Sequence, residues 1–207
     1  MEFTQALKWR YATKQFDSTQ KLSEDVVQAI IEDTLLSATS FGLQPYEMIV
    51  VSDPQVREKL KAASFGQPQI TDASHVIVLA ARTDVSTDMV DRYVERIADV
   101  RGIPAQTLDE YAGMMKGFVS QHDQQALTTW AQKQTYIALG TLMAAAAVRE
   151  VDGCPMEGFN PQQYNEILGL DNLTATVVFP IGKRSSEDKY AEAAKVRWPT
   201  EDVVHRV

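Results

Sequence analysis

Four cations near the two ends of the chain are the residues whose types and spacing could do chemistry. Arg10 and Lys14 stand four apart within ALKWRYATKQFD (6–17), and Lys195 and Arg197 stand two apart within KVRWP (195–199). Arginine offers a planar fork of N–H donors matched to phosphate oxygens, whereas lysine supplies a point charge. Two such pairs brought together would suit a phosphate dianion without any glycine-rich loop. By spacing alone, solvated surface cations are the more natural reading, and only assembly in space can decide.

Other catalytic chemistry finds little support. There is no G-x-S-x-G elbow, and His75, His122 and His205 lack metal-ligand spacing. His75 opens an apolar run and reads as a satisfied core or cap histidine. Cys154 is the only cysteine, with no partner for a disulfide or a C-x-x-C motif, and reads as an inert thiol. No P-loop is present, and no G-x-G-x-x-G follows a strand. An enzyme built from this sequence would therefore leave its chemistry to a cofactor. Three loops, 38–48, 65–70 and 153–159, offer main-chain or amide groups near the ends of elements. A flat heterocycle with several ring nitrogens and oxygens requires such groups, although ordinary turns explain any one loop singly.

The elements that must position these residues follow from periodicity and end signals. Ser23 with Glu24 and Asp25 starts a helix whose apolar positions are Val26, Val27, Ile30, Ile31 and Leu35. YEMIVVS (46–52) reads as a strand, and Asp53-Pro54 opens another helix. HVIVLAA (75–81) is continuous, short and β-branched, as expected of a strand buried on both faces. Met89, Val90, Tyr93, Val94 and Ile97 form one helical stripe; Leu108, Tyr111, Met114, Met115 and Phe118 form another. Residues 126–150 form a long helix, apolar nearly all round in its later half, with Gly140 and Ala144 to Ala147 suited to close packing within or between subunits. Asn160 and Pro161 start a short helix that Gly169 ends, and TATVVFPIG (174–182) is the third strand. The polar, irregular stretch from Lys183 onward either docks or is disordered. The pattern is α+β, helix-rich, with strands far apart in sequence.

Composition sets the outer bounds. The 207 residues fit a single domain, 1–207, and carry a net charge of −8. That balance argues against a nucleic-acid surface, and no apolar run has the length of a membrane span. The N-terminus shows no leader-like apolar core, and one cysteine suits a reducing compartment, so a cytoplasmic protein is expected.

RYATKQFD (10–17), the small-residue loop ending in Gln44-Pro45-Tyr46, DASHVIVLAA (72–81), PMEGF (155–159) and KVRWP (195–199) occur in one order across the chain. In that order and separation the sequence resembles the nitroreductase family, most closely its oxygen-insensitive NAD(P)H nitroreductases. The resemblance implies a central mixed sheet flanked by helices and an intertwined homodimer with FMN at the interface. It also implies NADH or NADPH as hydride donor, with nitroaromatics, quinones or similar small molecules as acceptors reduced in a ping-pong cycle through flavin N5. Arg10, Tyr11, Ala12 and Lys14 match the N-terminal FMN motif, with Lys14 the candidate charge that tunes the flavin. Lys195 and Arg197 match the basic pair that completes the phosphate site. Pro155, Met156, Glu157 and Gly158 match the loop against the ring, Gln67 and Gln69 the segment beside its polar edge, and Thr39 and Ser40 a loop given by the partner subunit. Phe41 stands where many relatives carry a polar residue, and Gly42 where they carry Asn. Phe41 and Phe118 are therefore candidate acceptor contacts, or core aromatics. Reduction of free flavin, dihydropteridine or an enone on the same scaffold is the alternative, and a flavin-binding protein without turnover is a further one.

Overall fold

Local sequence signals place most of the helix ends. The computed structural model describes residues 1–207. Helix α1 (Phe3–Trp9) begins where the Glu2 carboxylate accepts the N–H of Gln5, and α2 spans Glu24–Leu35 behind Ser23. In α3 (Pro54–Ala62) the Asp53 carboxylate accepts from the N–H groups of Gln55 and Val56, and proline fills the first position, where no donor is needed. A short turn α4 (Gln69–Asp72) precedes α5 (Thr87–Arg101), α6 (Asp109–Ser120) and α7 (Gln124–Val148). Asn160 caps α8 (Pro161–Leu168), and Gly169 ends it at φ 63°. One turn, α9 (Thr200–Val203), lies near the C-terminus.

Four strands make one sheet: β1 (Tyr46–Val51), β2 (His75–Arg82), β3 (Asp152–Gly153) and β4 (Leu173–Gly182), in spatial order β1-β2-β4-β3. All three ladders are antiparallel, and the one parallel pairing is the bridge of Ala12 to Gly153. That two-residue strand β3 is one more than periodicity gave, being too short to carry an alternating pattern.

β2 is buried along both faces, as its continuous apolar run requires. Val76 and Val78 pack with Phe16, Leu60, Tyr164 and Met156 on one side, while Ile77 and Leu79 pack with Ile30, Leu142 and Phe179 on the other. α5, α6 and the first turns of α7 close a third cluster around Val90, Met115, Val119 and Leu127. α7 thus lies against α2 and the sheet through Ala138, Leu139, Leu142, Ala145 and Ala146. Its opposite side, at Tyr136, Ile137 and Gly140, is exposed. Nothing lies within 4 Å of a Cβ built on Gly140, so that glycine serves no close contact inside the chain. No helix is long and apolar enough to cross a membrane.

Candidate functional site

The two ends of the chain meet. Arg10 is the C-cap of α1, and after it the chain meets β3 and then the start of the tail: Ala12 bridges Gly153, the Thr13 N–H donates to the Gly153 carbonyl at 3.2 Å, and Phe16 bridges Arg184. The stretch from Lys183 docks on this segment. Asp188, only 4% exposed, accepts hydrogen bonds through Oδ2 from the Tyr11 hydroxyl at 2.8 Å, the Lys14 N–H at 2.8 Å and the Gln15 N–H at 3.1 Å. Its Oδ1 accepts from the Tyr190 N–H at 3.0 Å. Burial pushes this carboxyl up, but the donors of Gln15, Lys14, Tyr11 and Tyr190 outweigh it and hold it below the usual carboxylate range. Tyr11 answers with a hydroxyl raised well above a free phenol, by burial first and then by its bond to Asp188.

A second tie reinforces the first. Arg184 donates through Nε to Asp152 Oδ1 at 2.7 Å, while its guanidinium carbon lies 4.3 Å from the Trp9 ring centroid and 4.7 Å from that of Tyr11. A cation placed on two aromatic faces and a 4% exposed carboxylate is held more firmly than an ordinary surface pair.

These ties gather Arg10, Tyr11, Ala12, Lys14, Pro155, Tyr190, Lys195 and Arg197 around a cleft of about 410 Å³. None of its four cations is within ion-pair distance of a carboxylate. Burial and the charge of Arg197 press the Arg10 guanidinium below its usual range. Lys195 is lowered as well, by burial and then by Arg10 and Arg197. Like charges converge here without an internal counterion, which is the electrostatic form of an anion site. The Lys195 ammonium donates to the carbonyl of Leu7 at 2.6 Å and to that of Arg10, so it also caps the C-terminal end of α1. Lys8, two residues before Arg10 in sequence, is exposed and forms no part of the lining.

Beside the cleft, Pro155 leads into a turn whose backbone is only partly used. The Met156 N–H donates to Val178 at 2.8 Å and that of Phe159 to Glu157 at 2.9 Å, whereas those of Glu157 and Gly158 have no acceptor in the chain. Cys154 is buried, its thiol pushed up by burial, with Lys14 Nζ at 3.9 Å.

The family model described as the nitroreductase family matches residues 7–183, which takes in the N-terminal motif, the sheet and the Pro155–Gly158 turn. The chain belongs to the nitroreductase family. A provisionally named NAD(P)H nitroreductase of Staphylococcus haemolyticus is 37% identical over 214 residues, covering 96% of this chain and 94% of that one. A provisionally named nitroreductase structure from Bacillus subtilis superposes with a TM-score of 0.90 at 23% identity, covering 99% of this chain and 98% of that one. Another, from Exiguobacterium sibiricum and solved in complex with FMN, gives 0.87 at 22% identity over 100% and 98%. At those identities the two structures establish the nitroreductase fold of this chain.

Within this member of the nitroreductase family, the remaining residues singled out by sequence are not among the residues that line the basic cleft. Gln67 Nε2 donates to the Gly158 carbonyl at 2.7 Å, while Gln69 is buried with its Oε1 unpartnered. Thr39 Oγ1 accepts from the Gln44 N–H at 3.0 Å, and the Ser40 N–H donates to Gln134 Oε1 at 2.9 Å. Phe41, at φ 58°, meets Phe118 edge-on with centroids 5.3 Å apart, and Phe118 also contacts Trp130. Neither pair lines the cleft of its own chain. Sequence reading missed Asp188, Asp152 and Arg184, which build the site from behind its lining. A lone carboxylate in an irregular tail carries no spacing signal; only the excess of buried donors facing it identifies it.

Proposed function

We propose that the chain binds FMN in the basic cleft, with 1–207 as one FMN-binding domain, and acts as an NAD(P)H-dependent reductase of nitroaromatics, quinones or similar small acceptors. The observation that carries the proposal is the set of four cations on one cleft wall with no carboxylate among them. The residues present fit the cofactor: forked and point-charge donors suit a phosphate dianion, and the free N–H groups of Glu157 and Gly158 suit acceptor atoms of a ring. Arg10 and Arg197 would grip the phosphate, Lys195 would add charge while holding α1 in place, and Pro155 to Gly158 would face the ring. Bound FMN supplies a centre that takes hydride from a nicotinamide and passes it to an acceptor, so donor and acceptor use the site in turn.

The chain's own contribution is to bind, orient and tune. Lys14 stands on the cleft wall without a carboxylate partner, and its charge favours negative charge acquired by the ring. Thr39, Ser40, Phe41 and Phe118 do not line the cleft of their own chain, which supports a homodimer whose sites take these residues from the partner.

Anaerobic titration tests the reading directly. The purified protein should take up FMN with a visible flavin band, and NADH or NADPH should bleach it without oxygen. A protein that gains no flavin band overturns the proposal; a flavin that neither donor bleaches leaves binding without turnover. Adding nitroaromatic, quinone, enone or free-flavin acceptors to the reduced protein then ranks the substrate classes.

A further inference from the structure

The Glu157–Gly158 turn is exposed, and exposed turns carry few restraints. This one is tied from several sides. Tyr136, from the middle of α7, donates its hydroxyl hydrogen bond to Glu157 Oε1. Gln67 Nε2 bridges the Gly158 carbonyl at 2.7 Å and the Ser64 carbonyl at 3.0 Å. A Cβ on Gly158 would stand 3.2 Å from that nitrogen, so glycine here lets the amide approach the backbone. Before the turn, Met156 pairs with Val178 in both directions, at 2.8 and 3.0 Å, and after it the Phe159 N–H closes on Glu157 O.

The turn is thus fixed by a helix side chain, a loop side chain and the sheet, while the two N–H groups at its centre bond to nothing in the chain. Solubility of an exposed turn requires none of these ties, since water would satisfy every group in it. Donors held still and left free match the requirement for preorganised hydrogen bonding to a ligand. Tyr136 suits the task because its hydroxyl is raised to about 12, by burial and then by Glu157, and so stays a donor throughout the neutral range.

We propose that Tyr136 and Gln67 are positioning residues of the flavin site, clamping the Glu157–Gly158 turn so that its two free N–H groups are held ready for the ring. Gln67 acts here through the Gly158 carbonyl. The inference rests on the FMN reading above, but the clamp is a property of the protein without cofactor and is measured there.

The test combines amide exchange on cofactor-free protein with FMN titration, on Y136F and Q67A. The Met156 and Phe159 amides should exchange about 10-fold faster in each variant, while those of β2 keep their wild-type rates. FMN should bind about 10-fold more weakly to Y136F and show an altered visible band shape. E157Q, which keeps an oxygen for Tyr136, should resemble wild type more than E157A does. In a double-mutant cycle, Y136F should add little once E157A is present. Wild-type exchange at both amides in Y136F and Q67A overturns the clamp. Faster exchange with unchanged FMN affinity and band shape overturns the positioning role. A wild-type chain that takes up no FMN overturns the functional reading instead, while the amide rates still report on the clamp.

Discussion

Asp188 shows how much a single carboxylate can organise. Its two oxygens take four donors from Tyr11, Lys14, Gln15 and Tyr190, and so fasten the tail to the N-terminal motif. Replacing it by Ala leaves those donors without their acceptor, and Asp188→Ala should lower stability by roughly 2–4 kcal/mol in urea unfolding. The pH dependence follows from the sign of its shift. A carboxyl held below its unfolded value contributes stability that is complete above about pH 4 and is lost as pH falls through the folded value. Asp188→Asn should therefore flatten the loss of stability below about pH 4 seen in an acid titration of the wild type. The cations opposite behave in the reverse sense: burial and then the charge of Arg197 press the Arg10 guanidinium down, and burial followed by Arg10 and Arg197 does the same to Lys195, so the charge of Arg197 opposes the fold. Arg197→Ala should weaken FMN binding by roughly 1.5–3 kcal/mol through lost charge-assisted bonds, yet leave the melting temperature of cofactor-free protein unchanged or higher. Isothermal titration and scanning calorimetry separate the two quantities; unchanged FMN affinity in both Arg10→Ala and Arg197→Ala would refute the phosphate assignment.

At the scale of elements, β3 carries more than its two residues suggest. Gly153 pairs with Ile181 on one side and bridges Ala12 on the other, and a Cβ there would sit 2.2 Å from Phe179 Cζ. Gly153→Ala must displace that ring or the strand, at about 1–3 kcal/mol, and should shift Cys154 and Pro155 with it. Lower urea stability together with weaker FMN binding is the expected pair of outcomes; lost stability with intact binding would uncouple β3 from the cleft. This strand also marks where sequence reading stops. The signals of α3, α8 and β2 are local: an Asp-Pro cap, an Asn-Pro start with a closing glycine, a continuous β-branched run. Those are legible because the physics acts within a few residues. β3 is set by Ala12 and β4, which are remote in sequence, and α1 by Lys195 on the carbonyls of Leu7 and Arg10. The basic residues of the cleft were readable through motif resemblance, whereas Asp188, Arg184 and Tyr136 act through contacts that no spacing announces.

The whole molecule leaves one helix half covered. α7 packs on α2 and the sheet along one side, while Lys133, Tyr136, Ile137 and Gly140 repeat at helical spacing on the exposed side. Phe3, Leu36, Phe65 and Trp198 are also exposed, at 56%, 84%, 77% and 79%. Large exposed apolar side chains favour an interface, and a second copy is the occupant that the proposed homodimer provides. In the proposed homodimer, Thr39 and Ser40, which do not line the cleft of their own chain, would form part of the partner's cleft wall. Gly140 separates assembly from folding, because nothing within the chain lies near its absent side chain. Gly140→Glu should keep the helical circular dichroism of the wild type and sediment at the 23.1 kDa of one chain, where a dimeric wild type should sediment at twice that mass. Its four cations remain in place, so a site confined to one chain would bind FMN as before. A shared site should lose affinity by at least about 10-fold, and it should do so with the Asp188 network intact. A monomeric variant with wild-type FMN affinity would assign the whole site to one chain and leave Thr39, Ser40, Phe41 and Phe118 without a role in it.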